Sequence, residues 1–258
     1  MTTRLLLFVL LVFLAACSTA LPPAPLQQEL SGIISSDLTL SGEVLLTGDL
    51  LILPGHTLTL QPGTTLRVRR SESTKIDPEY LSSYTEILVR GRLQAEGTAS
   101  APITFLPETP GSDGEVVWAG IILDRAAGST ISHARIEGAE QGILAITAAP
   151  HLAESTIYNC RYGIVVQGPG SAAIYNNQIE AGEGGLFVLA GASPDIVGNR
   201  ITNQVEEGLF VAANSAPRLG RNEISGNAIG LVLHNPQLPF DPDGISGNRE
   251  DLRLIGRE

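Results

Sequence analysis

Apolar residues recur along the second half of the chain in one short motif, which is a glycine followed by apolar residues at alternate positions. Successive copies begin 21 to 23 residues apart, and a second apolar column, of isoleucines, lies six or seven residues before the first position of each later copy. The first positions are Gly120, Gly142, Gly163, Gly185, Gly208, Gly230 and, in a degenerate last copy, Asp251. A fixed period with several apolar positions per period indicates a repeat protein.

The apolar clusters within each repeat predict strands. Each cluster is only three to five residues long, alternates apolar and polar positions, and is closed by Gly, Asn, Pro or Ser. The sequence lacks the long amphipathic runs that helical repeats need. Repeats of short strands stack into a solenoid whose coils pair with the coils above and below, about 4.8 Å apart. We therefore predict an all-β fold, a single-stranded parallel β-helix in which like residues lie over like.

The same alternation predicts an apolar stripe on the outside of the solenoid. The second residue after each first position faces outwards, and this column is apolar until Arg253 ends it. The stripe consists of Ile122, Leu144, Val165, Phe187, Phe210 and Val232. An apolar row of this length on an acidic protein calls for a cover or a partner. Either a loop of the chain folds over it, or a partner protein, a second copy or an apolar ligand binds there, with Phe187 and Phe210 as anchors.

The first 16 residues have the pattern of a bacterial export signal. Arg4 provides a positive charge near the start, residues 5–14 form an apolar core, and Leu14-Ala15-Ala16-Cys17 forms an end of small residues. The stretch is too short for a stable membrane span. This ending resembles the lipobox, which implies that Cys17 becomes the lipidated first residue; Ser18 behind it resembles outer-membrane sorting. Residues 17–30 are predicted to be a lipidated, proline-rich tether. The chain is then exported and anchored to a membrane of the cell envelope, at the outer membrane or a periplasmic face, without spanning it.

Residues 31–258 are predicted to form the β-helix domain. Short alternating runs separated by Pro-Gly turns mark its first coils. Two stretches, near 69–85 and 106–117, break the rhythm with charged residues, proline and glycine, and are predicted to be insertions. Loops that project from a rigid scaffold are frequent places for function.

Three segments carry a family resemblance. They read PGHTLTLQPGT at 54–64, GTASAPITF at 97–105 and WAGI at 118–121. In this order they resemble the bacterial secreted right-handed parallel β-helix repeat proteins of the pectin-lyase-like superfamily, and the resemblance covers the chain from about Ser31 onwards. It implies a right-handed solenoid. It implies no single activity, because that superfamily includes lyases, hydrolases, epimerases and adhesins.

Polysaccharide lyases of this fold use clustered acids, often with calcium, and a basic residue that abstracts the proton. The candidates here are Glu137, Tyr158 and Glu180, which follow the isoleucine column on three successive coils. The two glutamates are then roughly 10 Å apart, slightly beyond the range of the inverting glycosidases. The alternative is a solvated strand face. We prefer the solvated face because neither the lyase arginine motifs nor the Asp-Pro-His-Asp signature of the alginate epimerases occurs in this sequence.

Metal and cofactor chemistry finds little support in the sequence. Asp241-Pro242-Asp243-Gly244 comes nearest to the epimerase signature but lacks the histidine. It is predicted to form a turn, with calcium binding by Asp241 and Asp243 as the alternative. The four histidines share neither a ladder nor metal-ligand spacing, so no other metal site and no organic cofactor are predicted.

Composition and charge restrict the kinds of molecule that the chain is expected to bind. The formal net charge of −11 and the lack of a basic stripe argue against nucleic acid. Apart from Cys17, the sole cysteine is Cys160, which follows Asn159 at a predicted bend and is expected to be a buried thiol rather than a reactive one.

Two classes of function remain. The first is a lipid-anchored binding or structural module without chemistry, whose partner is a polysaccharide or a protein. The second is a carbohydrate-active enzyme, a lyase, hydrolase or epimerase. The first is favoured, because no cluster of acids converges on one groove in the predicted coils.

Overall fold

The computed structural model describes residues 28–70, 82–112 and 115–256. The predicted export signal, the lipidated Cys17 and most of the predicted tether lie outside these residues, as do residues 71–81 of the first predicted insertion. Within the described ranges no helix is long and apolar enough to cross a membrane.

The described residues form a solenoid of about ten turns, built of short parallel strands. The first coils contain β1 (Gln28–Ile34), β2 (Leu38–Leu40), β3 (Glu43–Ile52), β4 (Thr57–Leu60), β5 (Thr65–Val68), β6 (Glu86–Val89), β7 (Arg92–Glu96), β8 (Ile103–Pro107) and β9 (Trp118–Asp124). The middle coils contain β10 (Thr130–Ser132), β11 (Ala134–Glu137), β12 (Ala139–Ile146), β13 (His151–Ala153), β14 (Thr156–Tyr158), β15 (Tyr162–Gln167), β16 (Ala173–Tyr175), β17 (Gln178–Glu180) and β18 (Gly184–Leu189). The last coils contain β19 (Asp195–Val197), β20 (Arg200–Thr202), β21 (Glu207–Val211), β22 (Arg218–Leu219), β23 (Glu223–Ser225), β24 (Ile229–Leu233), a single 3-10 turn (Pro242–Gly244) and β25 (Glu250–Leu254). The predicted all-β parallel solenoid is confirmed.

Each regular coil contributes one strand to each of three faces. We call β2, β4, β7, β10, β13, β16, β19 and β22 the third face, since it carries neither repeat column. The isoleucine face comprises β5, β8, β11, β14, β17, β20 and β23, and the glycine face comprises β6, β9, β12, β15, β18, β21, β24 and β25. The long strand β3 spans both of these faces, and β1 pairs along both of its halves.

The isoleucine column lies inside the solenoid as predicted. Neighbouring strands pair Ile136 with Ile157, Ile157 with Ile179, and so on through Ile201 and Ile224. All of these side chains are at most 2% exposed. The aligned branched side chains fill a continuous core, which is the main driving force for stacking.

The glycine that begins each repeat is required by packing between coils. A Cβ atom on Gly163 would lie 2.3 Å from Cγ2 of Ile179 and 2.6 Å from the carbonyl oxygen of Gly185, both in the next coil. Gly142, Gly185, Gly208 and Gly230 meet the isoleucine of their next coil in the same way. Each glycine is therefore coupled to the isoleucine column, and this is why the two columns keep a common period.

Polar ladders run through the corners between faces. At the first corner, between the third and isoleucine faces, Oδ1 of Asn199 accepts hydrogen bonds from the backbone N–H (2.9 Å) and Nδ2 (3.0 Å) of Asn177, and Asn222 accepts equally from Asn199. Both Asn177 and Asn199 are buried, so these bonds satisfy groups that water does not reach. At the second corner, between the isoleucine and glycine faces, a similar ladder joins Gln204, Asn227, Asn248 and Asp251.

Two boundaries differ from the prediction. Strand β1 begins at Gln28, so the first three residues of strand lie within the range predicted as tether. Strand β8 continues to Pro107, so the second insertion begins after that residue rather than at 106. In both cases the strand gains a parallel partner, β3 for β1 and β5 for β8, and the backbone hydrogen bonds of this pairing extend the strand.

Candidate functional site

The predicted apolar stripe exists as a ladder on the outside of the glycine face. Its six residues pair in register from β9 to β24, and Leu51 and Leu88 extend the row towards the first coils. Because every member lies at the same position of its strand, each side chain packs on those above and below it.

Most of the stripe is buried in the structure. Four of its six members are nearly inaccessible: Ile122 (8%), Leu144 (3%), Val165 (6%) and Val232 (2%). Longer side chains on either side of the row, among them Ile146, Tyr162 and Leu189, pack against it. Of the six members, Phe187 and Phe210 are the two that are partly open to solvent.

The two phenylalanines belong to a row of aromatic rings. Phe187 stacks on Phe210 with ring centroids 5.6 Å apart, and the row continues edge-on to Tyr162 at 5.2 Å and to His234 at 5.2 Å. The position next to Tyr162 in the following coil is Gly184, and a Cβ atom there would collide with the Phe187 ring at 2.3 Å. The ring faces are therefore engaged with one another. Their role as anchors for a partner stays a prediction.

The structure brings together the three residues proposed for catalysis. Glu137, Tyr158 and Glu180 lie side by side on β11, β14 and β17. Each of the two acids is engaged, however: Glu137 forms an ion pair with Arg135, and Glu180 accepts a hydrogen bond from Nδ2 of Asn203 at 3.1 Å. Tyr158 is 40% exposed, and its ring lies 5.6 Å from the Arg135 guanidinium. The three residues form an open strand face on which both acids already have a hydrogen-bonding partner.

The predicted calcium ligands lie in the 3-10 turn. Oδ1 of Asp241 accepts a hydrogen bond from the backbone N–H of Asp243 at 3.1 Å, so Asp241 caps that turn. No group of three or more His, Cys, Asp or Glu side chains in the described ranges is arranged to hold a metal ion. Calcium binding at this turn stays a prediction.

Cys160 is a buried thiol at the second corner. Burial raises its pKa to about 12, and Sγ lies 3.6 Å from the Tyr158 carbonyl oxygen. Since the thiolate is the reactive form, a thiol in this state is unreactive at neutral pH.

On the outside of the third face, Asp195 receives two hydrogen bonds from the neighbouring coils. Arg218 donates from Nε at 2.7 Å and the Tyr175 hydroxyl donates at 3.1 Å. The hydrogen bond from Arg218 is the main cause of a lowered pKa at Asp195, and the hydrogen bond from Tyr175 lowers the pKa further. The carboxylate is held as a charged, exposed group, which contributes to register between coils.

A groove at the first corner is lined by two parallel rows of polar side chains. The corner row is His133, Glu154 and Asn176; the strand row, two residues further along each coil, is Arg135, Thr156 and Gln178. The groove has a volume of about 470 Å³, and residues 98–102 close one end of it. We call it the corner groove.

The backbone conformation determines where the side chains of the corner row point. His133, Glu154 and Asn176 have positive φ angles of 46°, 50° and 55°. In this left-handed conformation each N–H donates to a carbonyl oxygen of the next coil, at 3.0 to 3.1 Å, while the side chain points away from the core. The His133 Nε2 and Glu154 Oε2 atoms are 2.7 Å apart, so the corner row presents donors and acceptors along the solenoid axis.

Comparison with known proteins bears on the fold. The family model described as the right-handed β-helix region matches residues 119–243. The fold is a right-handed parallel β-helix. A crystal structure of the periplasmic alginate epimerase AlgG is similar to this β-helix with a TM-score of 0.46 and 14% identity, and that of a single-substitution variant has a TM-score of 0.47 and 13% identity.

Each of these alignments covers 76% of this chain and 55% of the epimerase, so the chain spans about half the length of that protein. At this identity the likeness concerns the fold alone. No curated protein sequence matches the chain significantly.

Sequence reasoning missed the corner groove of this β-helix. The corner row could not be predicted because its three residues are of different types and Glu154 is unusual at a left-handed position. The sequence does contain a signal for the corner row: in three successive repeats, a polar or charged residue lies two positions before the residue of the strand row.

Proposed function

We propose that this chain is an exported, lipid-anchored binding module that holds an extended polysaccharide in the corner groove without chemical conversion. The observation that carries the proposal is the pair of polar rows, which repeats at about the 4.8 Å spacing of the coils. A ligand with many hydroxyl groups can both donate to and accept from such rows.

The chemistry of the groove favours a polysaccharide over a protein partner. Its lining mixes amide, hydroxyl, imidazole, carboxylate and guanidinium groups, and the apolar residues along it, such as Ala99 and Pro102, are small. Protein interfaces instead depend on a buried core with large aromatic or aliphatic anchors. An extended sugar chain requires no such anchor.

Export and anchoring are part of the same proposal. They rest on the apolar segment and the Leu14-Ala15-Ala16-Cys17 ending, which resembles the lipobox. A tether between Cys17 and β1 would hold the β-helix near the membrane surface with its corner groove accessible to envelope polymers.

Binding of soluble neutral and acidic polysaccharides, measured by affinity electrophoresis, tests the proposal. The double variant Thr156→Val, Gln178→Ala removes two hydrogen-bonding groups of the strand row and retains a β-branched residue in β14. Each lost hydrogen bond weakens binding by roughly 1 kcal/mol, so affinity is expected to fall by about tenfold or more. Gln237→Ala, an exposed glutamine far from the groove, is the control.

Two results would contradict this function. One is that none of the polysaccharides binds, or that the double variant binds as tightly as the unaltered chain. The other is turnover, seen as unsaturated or epimerised products, that is lost in Glu137→Gln or Glu180→Gln. That outcome would establish the enzymatic alternative on the Glu137–Tyr158–Glu180 face.

A further inference from the structure

A notch at the third corner, where the chain passes from the glycine face to the third face, gathers basic side chains from adjacent coils. The turns that form it are residues 53–56, 90–91 and 125–129 in three successive coils. The middle turn is shorter than its neighbours, and a recess of about 330 Å³ opens over it. His56, Arg90, Arg92 and Arg125 line this recess.

Rigid backbone forms the floor of the notch. A Cβ atom on Gly91 would lie 2.3 Å from two carbonyl oxygens of the preceding coil, so no larger residue fits this turn. The N–H groups of Arg90 and Gly91 both donate to the Ile52 carbonyl oxygen, at 2.9 and 3.0 Å, and the Arg92 N–H donates to that of His56 at 2.9 Å. The basic side chains therefore project from a fixed frame.

A buried carboxylate contacts two arginines of the notch, whereas a third arginine has no acidic partner among the described residues. Oδ2 of the buried Asp124 accepts hydrogen bonds from both Arg90 (3.0 Å) and Arg125 (2.9 Å). Arg92 has no acidic partner in the ranges that the structure describes, and its Nη2 lies against the backbone at Gly128.

Arg92 therefore carries a positive charge that no acid of the described residues pairs, in a chain with a net charge of −11. The Arg125 side chain is 68% exposed, and Arg92 is exposed beside it in the neighbouring coil. Asp124 restrains Arg125 while leaving most of its side chain in solvent. Two guanidinium groups thus face solvent across a recess, with an imidazole at its edge.

We propose that this notch binds a doubly charged oxyanion, a phosphate or sulfate group, between Arg92 and Arg125, with His56 as a further hydrogen-bond partner. The planar guanidinium fork matches the oxygens of such a group in geometry and charge. Asp124 is a positioning residue, since it orients Arg125 and does not contact the anion. The site lies at a different corner from the corner groove, and its occupancy does not depend on polysaccharide binding.

The same anion has two sources, a free ion or the headgroup of a phosphomonoester lipid. The notch belongs to the coils nearest β1, the end at which the predicted tether joins the solenoid. A lipid headgroup is therefore within reach of an anchored chain, and the experiment separates it from free phosphate.

Calorimetric titration of the full chain in detergent with inorganic phosphate, and separately with sulfate, tests the site. Arg92→Gln and Arg125→Gln are each expected to raise Kd by about tenfold, as expected for loss of one charged hydrogen-bonding group. Arg221→Gln, another exposed arginine without an acidic partner among the described residues, should leave Kd unchanged. Unaltered thermal melting of the variants shows that the fold is retained.

Flotation with vesicles identifies the source. The Cys17→Ser chain is mixed with phosphatidylcholine vesicles that contain or lack phosphatidic acid, so that no acyl chain contributes to binding. Arginine-dependent flotation with phosphatidic acid supports the site and assigns the lipid; phosphate binding without flotation supports it and assigns the free ion. The proposal is overturned if neither phosphate nor sulfate binds, if acetate binds as tightly, or if both arginine variants bind like the Arg221→Gln control.

Discussion

The buried thiol illustrates how position within a coil decides the chemistry of a single residue. Cys160 follows the left-handed Asn159, the place that Gln204, Asn227 and Asn248 occupy in later coils. The side-chain oxygens of those amides accept hydrogen bonds from backbone N–H groups of the preceding coil, whereas the thiol fills the same space mainly as an apolar group. Sequence reasoning placed Cys160 correctly because a cysteine at a bend of a stacked coil has core on one side.

We expect Cys160 to be protected from thiol reagents in the folded protein. Its pKa is raised from 9.0 to about 12 by burial, so thiolate forms in the unfolded chain from about pH 9 and in the folded chain only near pH 12. This group therefore stabilises the fold fully below pH 9 and loses its contribution as pH rises towards 12. In the Cys17→Ser chain, Ellman's reagent at pH 8 should label nothing until denaturant is added. Labelling of the native chain within seconds would contradict the burial.

Other residue roles could not be read from the sequence. The repeat period correctly aligned Glu137, Tyr158 and Glu180, because residues at equal positions of successive coils must be neighbours. The ion pair between Glu137 and Arg135 is a matter of side-chain rotamers on one strand, and a period contains no information on rotamers.

At the scale of the strand, the register of the outer apolar column could be predicted, whereas the extent of its burial could not. Alternation fixes which side of the strand a residue faces, but not how far neighbouring side chains on that side reach over it. Tyr162 and Ile146 belong to columns that look irregular in the sequence, and they shield Val165 in the structure. The glycine face thus has a second apolar layer outside the solenoid core.

This outer layer is expected to contribute to stability as a core does. Val165→Ala should lower the free energy of unfolding by roughly 1–3 kcal/mol, because it removes buried methyl groups from a packed row. Val205→Ala is the matched control, since Val205 is 72% exposed, and its effect should stay within about 0.5 kcal/mol. Urea unfolding of the two variants provides the comparison. Equal effects would mean that the row is not packed in solution.

For the molecule as a whole, the sequence predicted the architecture far better than the candidate sites. The glycine and isoleucine columns determine a stacked solenoid because each requires the other in the adjacent coil. The notch arises instead from turns of unequal length, which leave no periodic signal, and the corner groove arises from left-handed corners whose residue types differ from coil to coil. Charge totals also conceal the notch, since its arginines are few among many acids.

Membrane anchoring is a property of the whole chain and has a direct test. In a bacterial host that processes lipoproteins, the unaltered chain should sediment with membranes and incorporate labelled palmitate. Cys17→Ser should abolish the label and release the chain into the soluble periplasmic fraction, because the lipid is the proposed attachment. Cys160→Ala, which removes the other cysteine, should behave like the unaltered chain. Membrane association of Cys17→Ser would contradict anchoring through this residue.

The coupling of each glycine to the isoleucine of the following coil also bears on how such a chain can change in length during evolution. Loss of one residue within a strand would shift its register, so that a residue with a side chain would take the place of Gly163 and collide with Ile179. Similar collisions would occur at the equivalent glycines along the face. Loss or duplication of a complete 21- to 23-residue unit would instead join two equivalent surfaces. Homologous chains should therefore differ by entire coils, or by residues added at the turns, while the strands themselves resist insertions and deletions.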